Sequence, residues 1–146
     1  MMRKILLTAA FLLSMLSGCA TVPMADSKDD ALAKSFPTPP AGQSGLYIYR
    51  DSVVGAALKK DIYVNGEIIG ESAPQVYFYK VVPAGENVLS TESEFSDNYL
   101  SIITEPEKNY FIRNYIKLGL FVGGANLEQI EETKGKEAVL GLKRAK

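Results

Sequence analysis

Tyr63-Val64-Asn65-Gly66-Glu67-Ile68-Ile69-Gly70-Glu71 is the stretch that decides the fold class. Asn-Gly supplies two positions tolerant of positive φ, so the pair suits a type I′ turn, whose twist matches that of the strands on either side. A two-residue loop pairs Val64 with Glu67, Tyr63 with Ile68 and Ile62 with Ile69. Upstream, Leu46-Tyr47-Ile48-Tyr49-Arg50 reads as an opening strand, with Leu46, Ile48 and Arg50 on one face and Tyr47 and Tyr49 on the other. Residues 52–58 are small and contain glycine, which suggests a loop. Downstream, residues 76–82 are apolar on both faces at several points, the mark of a central strand. Pro83-Ala84-Gly85-Glu86 is a turn, and residues 87–91, 99–104, 110–117 and 126–130 read as further strands. Residues 118–124 are apolar and glycine-rich, too short to cross a membrane, and fit a strand end, a flap or an apolar patch. Residues 131–146 read as a helix whose Lys143, Arg144 and Lys146 suit the negative end of the helix dipole. Seven or eight short strands and one C-terminal helix predict a mainly-β chain, an antiparallel β-sandwich.

Composition narrows the chemistry. The chain of 146 residues carries 16 Lys and Arg against 17 Asp and Glu, with no His, no Trp and one Cys. A formal charge of −1 argues against nucleic acid as a partner, because phosphate binding needs excess basic surface. Without His, the Ser-His-Asp and Cys-His arrangements and the commonest metal ligand are gone. One Cys makes neither an internal disulfide nor a thiolate zinc cluster.

Two motifs, Tyr63 to Glu71 and Val82-Pro83-Ala84-Gly85-Glu86, resemble the hairpin and turn of PEGA-type β-sandwich modules. Together with the N-terminal features below and the C-terminal helix, they make the chain similar to the DUF2846 family of small bacterial lipoproteins, over about residues 44–140. The resemblance implies a β-sandwich architecture and an envelope compartment, and supplies no catalytic residues.

The N-terminus carries an address. Met1-Met2-Arg3-Lys4 is a basic start, and residues 5–16 form an apolar run, the pattern of a secretory signal. The run ends in Leu16-Ser17-Gly18-Cys19, which resembles a bacterial lipobox. That resemblance implies a diacylglyceryl group on the Cys19 sulfur, cleavage between Gly18 and Cys19, and acylation of the new amino group. Several acyl chains hold a protein firmly where one holds it only marginally. Ala20 follows where Asp marks inner-membrane retention in enteric-type sorting, so the resemblance implies the outer membrane with the body in the periplasm. Removing residues 1–18 from 146 leaves 128, and losing Arg3 and Lys4 leaves 14 basic against 17 acidic side chains. The lipid, not a basic patch, must then anchor the protein.

The organisation expected is a signal peptide over residues 1–18, a lipidated start and Pro-rich linker over 19–44, and a β-sandwich domain over 45–146. Pro23, Pro37, Pro39 and Pro40 and few large apolar residues favour a flexible linker of about 25–30 Å r.m.s. length. A short helix over residues 27–35, with Ser27 and Asp30 in a weak capping pattern, is the alternative. Asp26, Asp29 and Asp30 lack the spacing of a calcium loop, and no cofactor or metal site is expected.

Tyr47 with Tyr49 and Tyr77 with Tyr79 are i,i+2 pairs, each lining one strand face. The ordinary expectation is core packing. If exposed, the stacked phenols form a partner-binding platform for glycan or protein. The functional expectation is a lipid-anchored, non-enzymatic envelope lipoprotein with a binding or structural role. Its partners are the membrane through the lipid and another envelope protein or peptidoglycan, not nucleic acid. The alternative is a carboxylate-dependent hydrolase or glycan-processing enzyme, for which Glu92 with Glu94, Glu105 with Glu107 and Glu131 with Glu132 are the paired candidates.

Overall fold

The structure is a computed structural model that describes residues 21–146. The signal reading over residues 1–18 and the lipidation and cleavage positions, Gly18 and Cys19, lie outside the described residues. The elements run α1 (Ser27–Lys34), β1 (Gln43–Arg50), β2 (Lys60–Val64), β3 (Glu67–Ser72), β4 (Val76–Pro83), β5 (Gly85–Thr91), β6 (Asn98–Thr104), β7 (Asn109–Lys117), β8 (Gly124–Ile130), α2 (Glu132–Leu140) and β9 (Lys143–Arg144).

The chain is mainly β, in two sheets of order β8-β7-β1-β4-β9 and β3-β2-β5-β6. The expected count of seven or eight strands becomes nine among the described residues, and the expected antiparallel arrangement is only partly met. β1 pairs with β7 in parallel, as does β4 with β9. The parallel pair arises because β2, β3, β5 and β6 form the second sheet, which serves as the crossover a parallel neighbour needs. Leu46, Ile48, Ile62, Leu89, Ile102 and Ile112 form one buried cluster drawn from both sheets.

The hairpin at Asn65-Gly66 forms as expected, with φ of 51° and 81° at its two central residues. Val64 pairs with Glu67 and Tyr63 with Ile68, but a bulge then places Ile62 opposite Gly70 instead of Ile69. Gly70 has φ +151°, and a Cβ there would stand 2.7 Å from the Phe78 ring. Glycine is thus required for the close approach of the second sheet to β4. The Asn65 side chain also accepts from Val88 N at 2.9 Å and donates to Asn87 Oδ1 at 2.8 Å, which ties the turn to β5.

Every residue of β1 from Ser44 to Arg50 is buried, so the first sheet is covered on both faces. A second cluster of Tyr47, Tyr49, Tyr77, Phe111, Ala33, Val139 and Leu142 lies on its other face, beneath the two helices. Tyr47 stacks on Phe111 with centroids 5.0 Å apart, and Phe36 meets both rings edge-on. Such aromatic pairs add about 0.5–1.5 kcal/mol beyond the area they bury.

This second core corrects the flexible-linker expectation for residues 21–44. Val22 packs against the first cluster, Met24 bridges to Ala145, and Ala25 N and Lys146 N bond Arg144 O and Pro23 O, each at 3.0 Å. α1 forms where the short-helix alternative placed it, although Asp26, not Ser27, caps it by accepting from Lys28 N and Asp29 N. Its partners are what composition does not reveal. Tyr47 donates to Ala33 O at 2.8 Å, and Tyr77 donates to Asp30 Oδ1 at 2.7 Å. A buried hydroxyl without a partner costs about 1–3 kcal/mol, so the helix completes the sheet as much as the sheet holds the helix.

The C-terminal helix is shorter than expected. It ends at Leu140, and Lys143 and Arg144, placed by the sequence at a helix end, instead form β9 along the open edge of β4. Lys143 N donates to Gln75 O at 3.2 Å and Ala145 N to Tyr77 O at 2.8 Å, satisfying backbone groups of that edge. Among the described residues, no helix is long and apolar enough to cross a membrane.

Gly135 sits where α2 crosses β7, and an added Cβ would lie 2.3 Å from the Phe111 Cβ. That atom is the rigid root of its side chain, so it cannot swing away. Gly135→Ala gains about 1 kcal/mol of helix propensity but adds overpacking of about 1–3 kcal/mol. Urea denaturation of the variant is expected to show a lower midpoint with an unchanged slope; a raised midpoint would contradict the packing described.

Candidate functional site

The tyrosines proposed as a partner platform are mostly core. Tyr47 and Tyr77 are fully buried and Tyr49 nearly so, while Tyr79 is half-buried against Tyr47 at 4.6 Å between centroids. Burial pushes the Tyr49 phenol up to about 12 and raises Tyr47 and Tyr77 further still. The first three are therefore closed to any partner. The i,i+2 pattern was right about the shared face, but the helices occupy it.

Of the carboxylate pairs, Glu94, Glu105, Glu131 and Glu132 have structural partners. Glu131 accepts from Thr133 N and Lys134 N as the N-cap of α2, and these bonds hold it below the ordinary carboxyl value. Glu132 pairs with Lys136, and Glu105 with Lys108. Glu94 accepts from the amides of Leu120 at 2.7 Å and Phe121 at 2.5 Å, and more weakly from Val122. Desolvation alone would raise Glu94, yet these three amides outweigh it and leave the carboxyl below its usual value. A general acid needs a shift in the opposite direction.

What stands out is one end of the first sheet. β1 and β7 are parallel, so the loops that follow Arg50 and Lys117 leave from the same end. They touch: a Cβ at Gly55 would lie 3.0 Å from Ile116, and one at Gly123 2.5 Å from Leu58. The β5–β6 loop joins them through Ala125 N donating to Glu92 O at 3.1 Å and Asn98 Nδ2 donating to Ala125 O at 2.6 Å. Seven of the fourteen exposed large hydrophobic side chains among the described residues sit in these three loops: Val53, Val54, Phe95, Leu118, Leu120, Phe121 and Val122. Leu118, Leu120 and Phe121 are 94%, 82% and 85% exposed. A concentration of exposed apolar side chains in adjoining loops is the kind of feature that marks contact sites.

Two charged groups of this end are turned to the loop backbone, while Asp97 in the β5–β6 loop stays exposed. Arg50 is completely buried and donates to Leu58 O at 2.7 Å, Gly55 O at 2.7 Å and Val54 O at 3.0 Å. It thus holds the β1–β2 loop from beneath, while Glu94 holds the β7–β8 loop. The sequence had flagged residues 118–124 as apolar. It had not joined them to Val53, Val54 and Phe95, nor given Arg50 and Glu94 their roles. A charged residue closing an otherwise buried strand was the available signal for Arg50.

A family model described as "Protein of unknown function (DUF2846)" matches residues 40–125, which takes in β1 through β7 and the three loops. The chain belongs to the DUF2846 family. A relative from Haemophilus influenzae, described as an uncharacterized protein, is 60% identical over 131 residues, covering 90% of this chain and 78% of its own length. No solved structure matches the chain. Helices α1 and α2 of this DUF2846 protein lie outside the family match, so the cover over the tyrosine face is not part of what the match defines.

If Glu94 pins the apolar loop, Glu94→Ala should speed hydrogen exchange at the Leu120 and Phe121 amides while the melting temperature barely moves, because the loop is exposed. Acid should do the same. A carboxyl lowered by native bonds contributes above its unfolded value, and that contribution is lost as pH falls through the folded one. Exchange at these amides, corrected for intrinsic rates, is therefore expected to rise only below the ordinary carboxyl pKa of 4.5. Unchanged protection in the variant would contradict the role given to Glu94.

Proposed function

We propose that this DUF2846 protein is a lipid-anchored bacterial cell-envelope lipoprotein. Its β-rich body, read as a PEGA-like β-sandwich, faces the periplasm from the outer membrane and works by binding or structural support, not by catalysis. The observation that carries this reading is Leu16-Ser17-Gly18-Cys19: the only thiol in 146 residues stands at the end of a basic-then-apolar leader. Ala20 behind it supports the outer-membrane assignment. The start of the folded body adds support. Val22, three residues beyond Cys19, already packs against the core.

The carboxylate-hydrolase alternative needs two facing carboxyls, one of them raised. Glu94 and Glu131 are lowered, and Glu105 and Glu132 are paired with lysines, which favours the non-enzymatic reading. The partner-platform role given to Tyr47, Tyr49 and Tyr77 is withdrawn, and the exposed apolar end of the first sheet takes its place as the surface for contact.

Cys19→Ala is expected to move the protein from the membrane fraction to the soluble periplasmic or precursor pool. Globomycin should cause the uncleaved wild-type form to accumulate. An unchanged fractionation of the variant, together with an intact mass lacking fatty acyl chains in the wild type, would overturn the reading.

A further inference from the structure

We infer that the apolar loop end of the first sheet rests in the lipid headgroup layer of the membrane that holds the anchor, so that the body lies against the bilayer instead of standing off on a leash. This deepens the lipid-anchor reading and rests on it.

The first observation is where the described chain begins. Thr21 and Val22 line one pocket with Ala73, Pro74, Gln75 and Lys143. Gln75 in turn donates from N to Arg50 O at 2.9 Å and from Nε2 to Asp51 O at 2.6 Å. The β3–β4 turn beside Thr21 is therefore bonded directly to the loop that carries Val53 and Val54. Cys19 is two residues from Thr21, and two residues reach at most about 7 Å even when fully extended. A fatty chain on Cys19 thus enters the membrane from the same end of the molecule that exposes Phe95, Leu118, Leu120 and Phe121.

The second observation is how that end is built. A loop entering the interfacial layer needs apolar side chains outward and its backbone polar groups satisfied from within. Residues 118–124 contain no charged side chain, and Glu94 takes up the amides of Leu120, Phe121 and Val122. Arg50 takes up three carbonyls of the β1–β2 loop in the same way. Lys117, exposed, flanks the loops where its long stem can lie along apolar surface and carry its charge to the headgroups, while Lys59 is paired with Glu71 at 3.0 Å. A partner protein would also cover apolar side chains. It would give no reason for the lipid attachment point and the apolar tips to share one end.

The absence of Trp from the chain supplies a clean probe. Phe121→Trp places a single indole at the loop tip, and Ala41→Trp, exposed in the turn before β1, places one at the opposite end. Each acylated full-length protein is reconstituted into vesicles of phosphatidylethanolamine and phosphatidylglycerol, with its acyl mass verified first. The Phe121→Trp protein is expected to show blue-shifted emission that is lost when brominated phosphatidylcholine is included, whereas Ala41→Trp shows neither. An acylated, vesicle-bound Phe121→Trp protein that emits as in water and resists quenching overturns this inference and leaves the anchor standing. The same result accompanied by protection on adding an envelope protein would assign the surface to that protein instead. A wild-type chain carrying no acyl mass overturns the anchor and this inference together.

Discussion

The face of the first sheet that carries Tyr47, Tyr77 and Phe111 is the constraint on which the rest of the molecule depends. Its rings are too large to leave in water, and its phenolic hydroxyls are too costly to bury without acceptors. α1 answers both demands, bringing Ala33 into the ring cluster, its carbonyl to Tyr47 and the Asp30 carboxylate to Tyr77. Asp30 accepts also from Arg144 N at 3.2 Å and pairs with Lys34 at 3.0 Å, so one side chain joins the N-terminal helix, the central sheet and the last strand. With α1 docked, the preceding segment has no freedom to wander. Met24 joins Ala145, and the body is folded from its first described residues.

That single requirement bears on the lipid anchor proposed for Cys19. A flexible leash would make the body a domain held near a membrane at a distance set by chain statistics. A docked segment over residues 21–34 would instead tie the body's orientation to the proposed attachment point. The inverted chemistry of the loop end follows the same logic. Ordinary surface loops turn polar side chains to water. Here Arg50 and Glu94 spend their hydrogen bonds on loop backbone, and the loops turn Leu118, Leu120 and Phe121 outward. Membership in DUF2846 extends over these loops, whereas the helical cover over the tyrosine face lies outside the family match.

Much of the strand content was legible because its signals are local. Asn65-Gly66 specified a turn by backbone sterics alone, alternation located β1, and a run apolar on both faces located β4. The bulge at Ile62 was not legible, because it depends on Phe78 closing on Gly70 from another sheet. The parallel pairing of β1 with β7 was equally hidden, since it is set by the whole intervening chain, residues 51–108. The end of α2 was misjudged because Lys143 and Arg144 suit a helix terminus by charge, while the open edge of β4 offers them hydrogen bonds that outweigh that preference. Of the candidate surface, residues 118–124 showed themselves by composition, but Val53, Val54 and Phe95 joined them only through folding.

The sequence by itself determined the basic-then-apolar start, its resemblance to a lipobox, the β-rich class and the lack of His, because each follows from residue identity and short-range order. Tertiary structure decided that the tyrosines are core, that the Pro-rich start is a docked element, and that three apolar loops share an end with the start of the folded chain. Those outcomes rest on which hydroxyls, edges and apolar faces lie unsatisfied across the fold, and a linear pattern carries no record of that.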